Sequence, residues 1–243
     1  MRRPPLVLLD LDGTLVDRQR AFEDWARSFT GGIGAGPDDL DWLVEADRGG
    51  YRPRAELAAQ IVRRLRPGAS AEEIQEHLQL GVVEGIACYP GIPEALRELR
   101  GIGAALVLVT NGTVVQQTAK LERTGLGPLL DRVVISEAAG VRKPDPGIFA
   151  LAVDGRERRA ETWMIGDHPT ADIEGARSAG FSTGWVSHGR PWPHPWEPTL
   201  TAPTTAELLG MLLTRADVTA DDPFTASPAP PPGPRRGRGP RAR

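Results

Sequence analysis

The chain has 243 residues, 40% of them hydrophobic and 25% charged, which is enough apolar sequence to bury a sizeable core and excludes a mostly disordered chain. Its formal net charge of −3 argues against a dedicated nucleic-acid-binding protein, and its one cysteine, Cys88, excludes an intrachain disulfide or a metal site built from several thiolates. Because no apolar run approaches the ~18 residues of a membrane span and the run after Arg3 is too short for a signal peptide, we expect a cytoplasmic protein without a membrane partner.

Short apolar runs along the chain predict the strands of a parallel sheet, because strands buried on both faces carry no polar alternation. These runs cover residues 6–10, 104–110, 132–136, 162–167 and 182–187. Helical spacing of apolar residues follows them at residues 92–100, 114–123, 171–179 and 204–213. The alternation of strand and helix predicts an α/β fold with a Rossmann-like, doubly wound parallel sheet.

The connection after the first strand is long and carries only helical patterns, at residues 18–29, 37–46, 54–65 and 71–85. We interpret residues 17–87 as a small all-helical cap domain inserted into a catalytic core that comprises residues 1–16 and 88–215. The remaining segment, residues 216–243, becomes rich in proline and arginine and has no acidic residue from Pro223 onward. Such a composition cannot form a core, so we expect a disordered tail.

Polar residues stand where the predicted strands end, and this is the edge at which open α/β sheets bind their ligands. They are Asp10 and Asp12 after the first strand, Thr110, Asn111 and Gly112 after the second, Lys143 beyond the third, and Asp167 and Asp172 after the fourth. Carboxylates gathered in a cleft repel one another, and a hard cation such as Mg²⁺ removes that repulsion. Thr110, the backbone N–H groups of Asn111 and Gly112, and the charge of Lys143 are suited to phosphate oxygens.

These residues lie in four motifs: Asp-Leu-Asp-Gly-Thr at 10–14, Thr-Asn-Gly at 110–112, Lys-Pro-Asp-Pro at 143–146, and Gly-Asp-His-Pro at 166–169 followed by Asp172. Each motif is weak alone, but all four occur in order at strand ends. From about residue 5 to residue 213 the sequence resembles the phosphatase branch of the haloacid dehalogenase-like hydrolase superfamily, in the form that carries a helical cap after the first strand.

The resemblance implies roles for individual residues. Asp10 is expected to attack phosphorus and form an aspartyl-phosphate, and Asp12 to protonate the leaving alcohol and then activate water. Thr110 and Lys143 are expected to stabilise the transferring phosphoryl group. The ligands expected for Mg²⁺ are Asp10, Asp167 and the backbone carbonyl of Asp12, with Asp172 orienting Lys143 or a metal-bound water.

Other activities remain open at this stage. A phosphomutase resembling β-phosphoglucomutase would share the cap and the motifs. A 2-haloacid dehalogenase needs no acid for its leaving halide, so the presence of Asp12 and of the acidic pair Asp167 and Asp172 favours phosphoryl chemistry. Non-enzymatic alternatives are a phospho-acceptor receiver, in which the acceptor follows the third strand, and a binding-only protein, which is expected to have lost a motif residue.

The cap carries a weaker signal for the substrate. The bend at residues 47–54 gathers arginines beside Tyr51, and Arg52 is a candidate for contact with the leaving group. Overall, the expected substrate is a small phosphorylated metabolite of the nucleoside monophosphate or sugar phosphate type, bound by a monomer or homodimer. We assign His168 to local hydrogen bonding rather than to metal binding, and expect the loop at residues 188–196 to pack against the sheet edge or line the cleft.

Overall fold

The computed structural model describes residues 4–66, 68–154 and 161–220. Its strands are β1 (Leu6–Leu9), β2 (Ala105–Thr110), β3 (Arg132–Ile135), β4 (Thr162–Gly166), β5 (Ser182–Val186) and β6 (Leu200–Ala202). They form one parallel sheet in the order β3-β2-β1-β4-β5-β6, which confirms the predicted α/β class. The sequence patterns missed β6, which has three residues and follows a proline-rich loop.

Helices lie between the strands. Those between β1 and β2 are α1 (Arg18–Gly32), α2 (Pro37–Asp47), α3 (Arg54–Leu65), α4 (Ala71–Gly85) and α5 (Ile92–Gly101). Later in the chain come α6 (Val114–Thr124), α7 (Ser136–Ala139), α8 (Pro146–Val153), α9 (Gly175–Ser178) and α10 (Thr205–Ala220). The last turn of α10 extends into the range predicted for the tail, and residues 221–243 lie outside the described part of the chain.

Both faces of the sheet are covered, because successive side chains of a strand point to opposite faces. Val7 and Leu9 of β1 belong to an apolar cluster that also contains residues of α1, α5 and α10. Leu6 and Leu8 belong to a second cluster, which contains Phe149 of α8 and Ala176 of α9. Burial on both faces accounts for the continuous apolar runs that predicted the strands.

The helices α1 to α4, here called the insert helices, pack against one another through aromatic and small residues. Trp25 of α1 stacks on Phe29 with ring centroids 5.2 Å apart and donates from Nε1 to His77 Nδ1 of α4 at 3.1 Å. Gly81 of α4 lies so close to α1 that a Cβ there would come within 2.2 Å of Trp25 Cδ1. The helix α4 itself begins with a capping box between Ser70 and Glu73. The apolar cluster of the insert helices is continuous with that of the sheet.

The order of the strands positions the functional site. The strand β1 lies in the interior of the sheet, with β2 and then β3 on one side and β4, β5 and β6 on the other. A crevice opens at the carboxyl ends of the strands where such an order reverses, here between β1 and β4. Asp10 directly follows β1 and Asp167 directly follows β4, so both carboxylates lie at this crevice.

Candidate active site

Three carboxylates meet at the crevice, as the motifs predict. Asp10, Asp167 and Asp172 each contribute one oxygen to a group whose members all lie within 4.8 Å of one another. Two glycines leave room for them. A Cβ on Gly13, whose φ is +79°, would lie 2.8 Å from the carboxylate carbon of Asp167, and one on Gly166 would lie 2.3 Å from Asp172 Oδ2. Larger residues at these two positions would displace the carboxylates.

Lys143 is buried between two of these acids. Its Nζ lies 2.6 Å from Asp10 Oδ1 and 2.7 Å from Asp172 Oδ1. Its main chain is held by Asn111, whose Oδ1 accepts from Lys143 N at 2.9 Å and whose Nδ2 donates to Lys143 O at 3.0 Å. The two acidic neighbours raise the pKa of Lys143 against the opposing effect of burial, so the ammonium group stays charged.

The acidic cluster is electrostatically strained by its burial. Desolvation, together with the charges of Asp172 and Asp167, raises the pKa of Asp10 to about 8 against the opposing charge of Lys143. Desolvation and the charge of Asp172 raise the pKa of Asp167 to about 6. Among the described residues, Asp167 Oδ1 is buried without a hydrogen-bond partner. A repelling group of carboxylates with an unsatisfied buried oxygen fits a hard divalent cation, which relieves both penalties.

A widened helical turn positions Asp172. The sequence patterns predict one helix over residues 171–179, but the structure has a π-helical turn over Pro169–Glu174 followed by the short α9. His168 caps this turn: its Nδ1 accepts from Thr170 N at 3.2 Å and from Ala171 N at 3.0 Å, which confirms the local hydrogen bonding predicted for it. In return, His168 N donates to Asp172 Oδ2 at 3.0 Å.

Asp12 is held by two residues of α6 that the sequence analysis did not single out. Lys120 Nζ lies 2.6 and 2.7 Å from the two carboxylate oxygens of Asp12, and Gln117 Nε2 donates to Asp12 Oδ2 at 3.0 Å. Burial opposes ionisation of Asp12, but Lys120 and Gln117 outweigh it and hold the pKa of Asp12 below its usual value. Gln117 Nε2 also donates to Thr110 Oγ1 at 2.6 Å, so it joins the ends of β1 and β2.

The end of β2 lies beside these groups. Thr110 is buried, and Thr110, Asn111 and Gly112 all border the same cavity as the acids. The N–H of Gly112 donates to Ser136 Oγ at 3.0 Å, a hydrogen bond that a phosphate oxygen would have to replace. The structure therefore brings the predicted site residues of all four motifs to one cavity, with Asn111 contributing its side chain to the support of Lys143.

The cavity measures about 850 Å³ and extends from the strand ends to the insert helices. On that side Arg18 of α1 donates both terminal nitrogens to Asp47, which is fully buried, and Arg54 Nη1 donates to Asp47 Oδ1 at 2.5 Å. Arg52 also borders the cavity, where its Nε donates to the carbonyl of Ala46 and its Nη1 donates to Glu56 at 2.5 Å.

The loop after β5 lines the cavity entrance, one of the two positions expected for it. Arg190 Nη2 donates to Asp167 Oδ2 at 3.1 Å and to the carbonyl of Asp167 at 2.8 Å. His188 holds a left-handed backbone with φ of 48°, and its Nε2 lies 2.6 Å from the carbonyl oxygen of Gly13. Across the entrance, the centroid of the Tyr51 ring lies 4.6 Å from that of His168, so the bend after α2 contacts the loop that follows β4.

Residues 4–180 match the family model described as haloacid dehalogenase-like hydrolase. The chain belongs to the haloacid dehalogenase-like hydrolase family. The acid after β1, the polar end of β2, Lys143 and the acids after β4 all border one cavity, and the catalytic roles that the motifs predict for them stay predictions. Among the described residues, no helix combines the length and apolar character that crossing a bilayer requires.

Two curated relatives in this family are phosphate-releasing enzymes by name. The pyrimidine 5′-nucleotidase YjjG of Escherichia coli is 39% identical over 126 residues, which are 51% of this chain and 56% of that protein. The phosphoserine phosphatase of Thermus thermophilus is 35% identical over 169 residues, 68% of this chain and 63% of that protein. The chain thus matches between about half and two thirds of the length of these two relatives.

A solved structure of the family has the same fold. The HAD-hydrolase YfnB of Bacillus subtilis, in a crystal form bound to magnesium, superposes with a TM-score of 0.72 at 24% identity. The superposition covers 87% of this chain and 99% of that one. At this level of identity the likeness shows a shared architecture and leaves the chemistry to be argued from the site.

Proposed function

We propose that this protein is a Mg²⁺-dependent phosphatase that hydrolyses small phosphorylated metabolites through an aspartyl-phosphate. The observation that carries the proposal is the buried contact of 2.6 Å between Lys143 Nζ and Asp10 Oδ1, within a group of carboxylates suited to a divalent cation. The names of the two relatives, a nucleotidase and a phosphoserine phosphatase, support the same reaction.

Asp10 is the nucleophile in this proposal. Its Oδ1 contacts Lys143 Nζ, and its Oδ2 lies 3.4 Å from Thr14 Oγ1. These contacts fix the rotamer of the carboxylate at the strand end, which reduces the cost of aligning it with phosphorus. The ammonium group of Lys143 favours the ionised, nucleophilic form of Asp10 and stabilises the negative charge on the transferring phosphoryl oxygens, as Thr110 Oγ1 does by hydrogen bonding.

Asp12 acts as the general acid and then as the general base. Gln117 and Lys120 hold its carboxyl group on the cavity wall, two residues beyond the nucleophile. Lys120 and Gln117 hold the carboxyl group of Asp12 ionised in the substrate-free site, so it must first take up a proton, which the negative charge of a bound phosphoryl group favours by opposing the effect of Lys120. It then donates this proton to the oxygen of the leaving alcohol, and afterwards takes one from the water that attacks the aspartyl-phosphate. A residue of this kind is needed when the leaving group is an alcohol and is superfluous when it is a halide.

The residues that would hold Mg²⁺ are Asp10, Asp167 and the backbone carbonyl of Asp12, with Asp172 supporting Lys143. When bound, Mg²⁺ supplies positive charge that offsets the repulsion among the carboxylates and polarises the phosphoryl group. The orphaned Asp167 Oδ1 offers the cation an oxygen that is already desolvated.

The fold alone does not choose among phosphatase, phosphomutase and dehalogenase. Asp12, held by Lys120 and Gln117, favours phosphoryl chemistry over dehalogenation, because a halide needs no proton. A phosphomutase resembling β-phosphoglucomutase needs the same residues, and it differs in returning the phosphoryl group to a second hydroxyl instead of to water. The predicted cap domain at residues 17–87, a cytoplasmic location and a monomeric or homodimeric state are retained as parts of the proposal.

The test is release of phosphate from p-nitrophenyl phosphate and from a panel of phosphorylated metabolites, with and without Mg²⁺. Asp10→Asn should lower turnover at least ~10³-fold, because the variant lacks the carboxylate that attacks phosphorus and the other catalytic residues depend on that step. Asp24→Asn, an exposed change on α1, is the matched control and should retain activity. Normal phosphate release by folded Asp10→Asn would refute the aspartyl-phosphate. Halide release from 2-chloropropionate without metal, or phosphoryl transfer between two sugar positions, would support the alternatives.

A further inference from the structure

Three cationic side chains from three helices converge on the part of the cavity formed by the insert helices. Arg18 belongs to α1, Arg54 to α3 and Lys120 to α6, and all three border the large cavity. They also border a smaller cavity of about 20 Å³ beside Val82 of α4. Sharing two cavities places them next to one another, although they lie far apart in the sequence.

The charges in this cluster do not balance. Asp47 is shared by the two arginines, and Asp12 pairs with Lys120. Three positive charges therefore face two negative ones. The side chains of Arg18 and Lys120 are only 6% and 7% exposed, so water screens this excess poorly. Arg52, by contrast, pairs with Glu56 and adds no excess.

Mutual repulsion within the cluster is visible in its acid–base properties. Burial and the neighbouring charge of Arg18 lower the pKa of Arg54 against the opposing effect of Asp47. An anion placed among these side chains would remove the repulsion and replace lost hydration.

Hydrogen-bond donors are also available for such an anion. A guanidinium group has five N–H donors. In the described part of the chain, Arg18 directs two terminal nitrogens at Asp47, whereas Arg54 directs one at Asp47 and the other at the carbonyl of Gly50 at 3.3 Å. Both arginines border the cavity, and the side chain of Arg54 is 21% exposed, so the remaining donors of Arg54 can reach a ligand while Arg18 contributes its charge.

The acidic end of the cavity has cations of its own. Lys143 contacts Asp10 and Asp172, and Arg190 contacts Asp167, so these two cations, together with the proposed Mg²⁺, serve the phosphate that reacts at Asp10. The surplus charge at Arg18, Arg54 and Lys120 is thus available to the rest of the substrate.

We infer that Arg18, Arg54 and Lys120 form a subsite for a second anionic group, so that the favoured substrate is a phosphomonoester whose leaving group carries a carboxylate or a second phosphate. The inference rests on the proposed phosphatase function and narrows its substrate class. It disfavours nucleoside monophosphates, because the nucleoside that leaves is neutral, and it retains phosphorylated hydroxy acids and sugar bisphosphates.

Matched substrates test the charge of the leaving group directly. 3-Phosphoglycerate and glycerol 3-phosphate differ only in a carboxylate against a hydroxymethyl group. 1,3-Propanediol bisphosphate and 3-hydroxypropyl phosphate differ in a second phosphate. The wild type should prefer the anionic member of at least one pair by about 10- to 100-fold in kcat/KM, which is the range for one hydrogen bond between charged groups. The pair that shows the preference identifies the anion as carboxylate or phosphate.

Arg54→Gln tests the residues. Arg18 still pairs with Asp47 in this variant, so the buried carboxylate keeps a partner and the fold is expected to persist. The preference for the anionic substrate should fall to within about threefold of unity, mainly through a higher KM. Arg54→Lys should restore part of the preference, because lysine returns the positive charge but not the planar guanidinium group that can form two parallel hydrogen bonds. Arg97→Gln on α5, an exposed residue paired with Glu94, is the matched control and should keep the full preference.

The possible outcomes separate the subsite from the proposed function. Equal kcat/KM for the members of both pairs, in a protein that hydrolyses p-nitrophenyl phosphate, overturns the subsite but not the proposed phosphatase activity. A preference that survives in folded Arg54→Gln assigns the selectivity to other residues and also overturns the subsite. Hydrolysis of no phosphomonoester at all overturns the proposed function and this inference with it. Binding of glycerate but not of glycerol, measured by calorimetry and weakened in Arg54→Gln, supports the subsite independently of turnover.

Discussion

Lys120 Nζ and Asp12 Oδ2 lie 2.6 Å apart although 108 residues separate them in the sequence. The contact joins α6 to the loop after β1 and orients the carboxyl group proposed as general acid. Lys120→Met also removes the charge that lowers the pKa of Asp12, but we expect the loss of orientation to dominate, so that the misplaced carboxyl group donates its proton to the leaving group less effectively. For alkyl phosphates with a neutral leaving group, kcat should fall about 10- to 100-fold, a part of the ~10²–10⁴-fold that general acid catalysis contributes.

The signature of this role is its dependence on the leaving group. Hydrolysis of p-nitrophenyl phosphate, whose leaving group needs little protonation, should change by less than about threefold, since the general acid contributes little there. Lys120→Arg should restore part of the loss, and Arg123→Met, an exposed change on the same helix, should have no effect. An equal loss for alkyl and aryl phosphates would show that Lys120 acts on phosphate binding or on folding instead.

Metal removal should silence the enzyme reversibly. Excess EDTA is expected to abolish phosphate release and added Mg²⁺ to restore it, whereas Ca²⁺ should inhibit, because it takes more ligands at longer distances and would misplace the carboxylate of Asp10. In calorimetry, Asp167→Asn should weaken Mg²⁺ binding at least about 10-fold, since even outer partners of metal ligands contribute that much. Undiminished turnover in EDTA would contradict the metal dependence.

The close approach of α4 to α1 predicts opposite effects for two glycine substitutions. A Cβ at position 81 would meet the Trp25 ring, so Gly81→Ala should lower the free energy of unfolding by about 1–3 kcal/mol, the usual cost of overpacking. In α10, a Cβ on Gly210 has no neighbour within 4 Å, so Gly210→Ala should stabilise by about 0.5–1 kcal/mol through helix propensity. Urea denaturation of both variants measures the difference, and equal effects would argue against the tight packing of α4 on α1.

The buried carboxylate of Asp47 should make stability depend on pH. Its hydrogen bonds and ion pairs with Arg18 and Arg54 outweigh desolvation and hold its pKa below the ordinary value of 3.8. A depressed pKa in the folded state adds stability above pH 3.8, and this contribution is lost as the pH falls through the lower folded value. Asp47→Asn should therefore destabilise by about 3–5 kcal/mol at pH 7, the cost of breaking a buried pair.

The same variant should lose less stability than the wild type when the pH is lowered from 5 to 2.5, because it has no proton to bind at this position. Urea denaturation across this range provides the comparison, with the exposed Asp38→Asn of α2 as control. Parallel pH profiles of wild type and Asp47→Asn would show that the ion pairs of Asp47 contribute no pH-dependent stability.

Much of the fold was predictable because strands that are buried on both faces appear in the sequence as uninterrupted apolar runs. Most of the motif residues follow directly after those runs. The strand β6 was not predictable, because a segment of three residues after a proline-rich loop is too short to show a pattern of apolar residues. Gln117 and Lys120 were detectable in principle: they lie three positions apart on the buried side of an amphipathic helix, where polar residues need partners. Their contacts with Asp12, however, could be recognised only in the three-dimensional structure.

The charge balance at Arg18, Asp47 and Arg54 was likewise invisible in the sequence. The bend at residues 47–54 presents several arginines that look equivalent, and Arg52 was selected from them as a candidate contact. Only the side-chain contacts separate Arg52, which pairs with Glu56, from Arg54, which shares a buried carboxylate with Arg18. Which charges are neutralised depends on packing between helices, and sequence periodicity does not report it.

The parallel pairing of β1 with β2 and β4 determines when the site can exist during synthesis. Leu6 lies opposite Ala105 on one side and Thr162 on the other, so the nucleophile-bearing strand acquires its second neighbour only after most of the chain has been made. A nascent chain that ends before residue 162 already contains Asp10, Asp12, Thr110 and Lys143, yet it lacks Asp167 and Asp172 and leaves β1 as an unprotected edge. Under the proposed function, phosphate release is therefore expected only from chains that extend beyond Asp172, and shorter products are expected to aggregate through the exposed edge of β1.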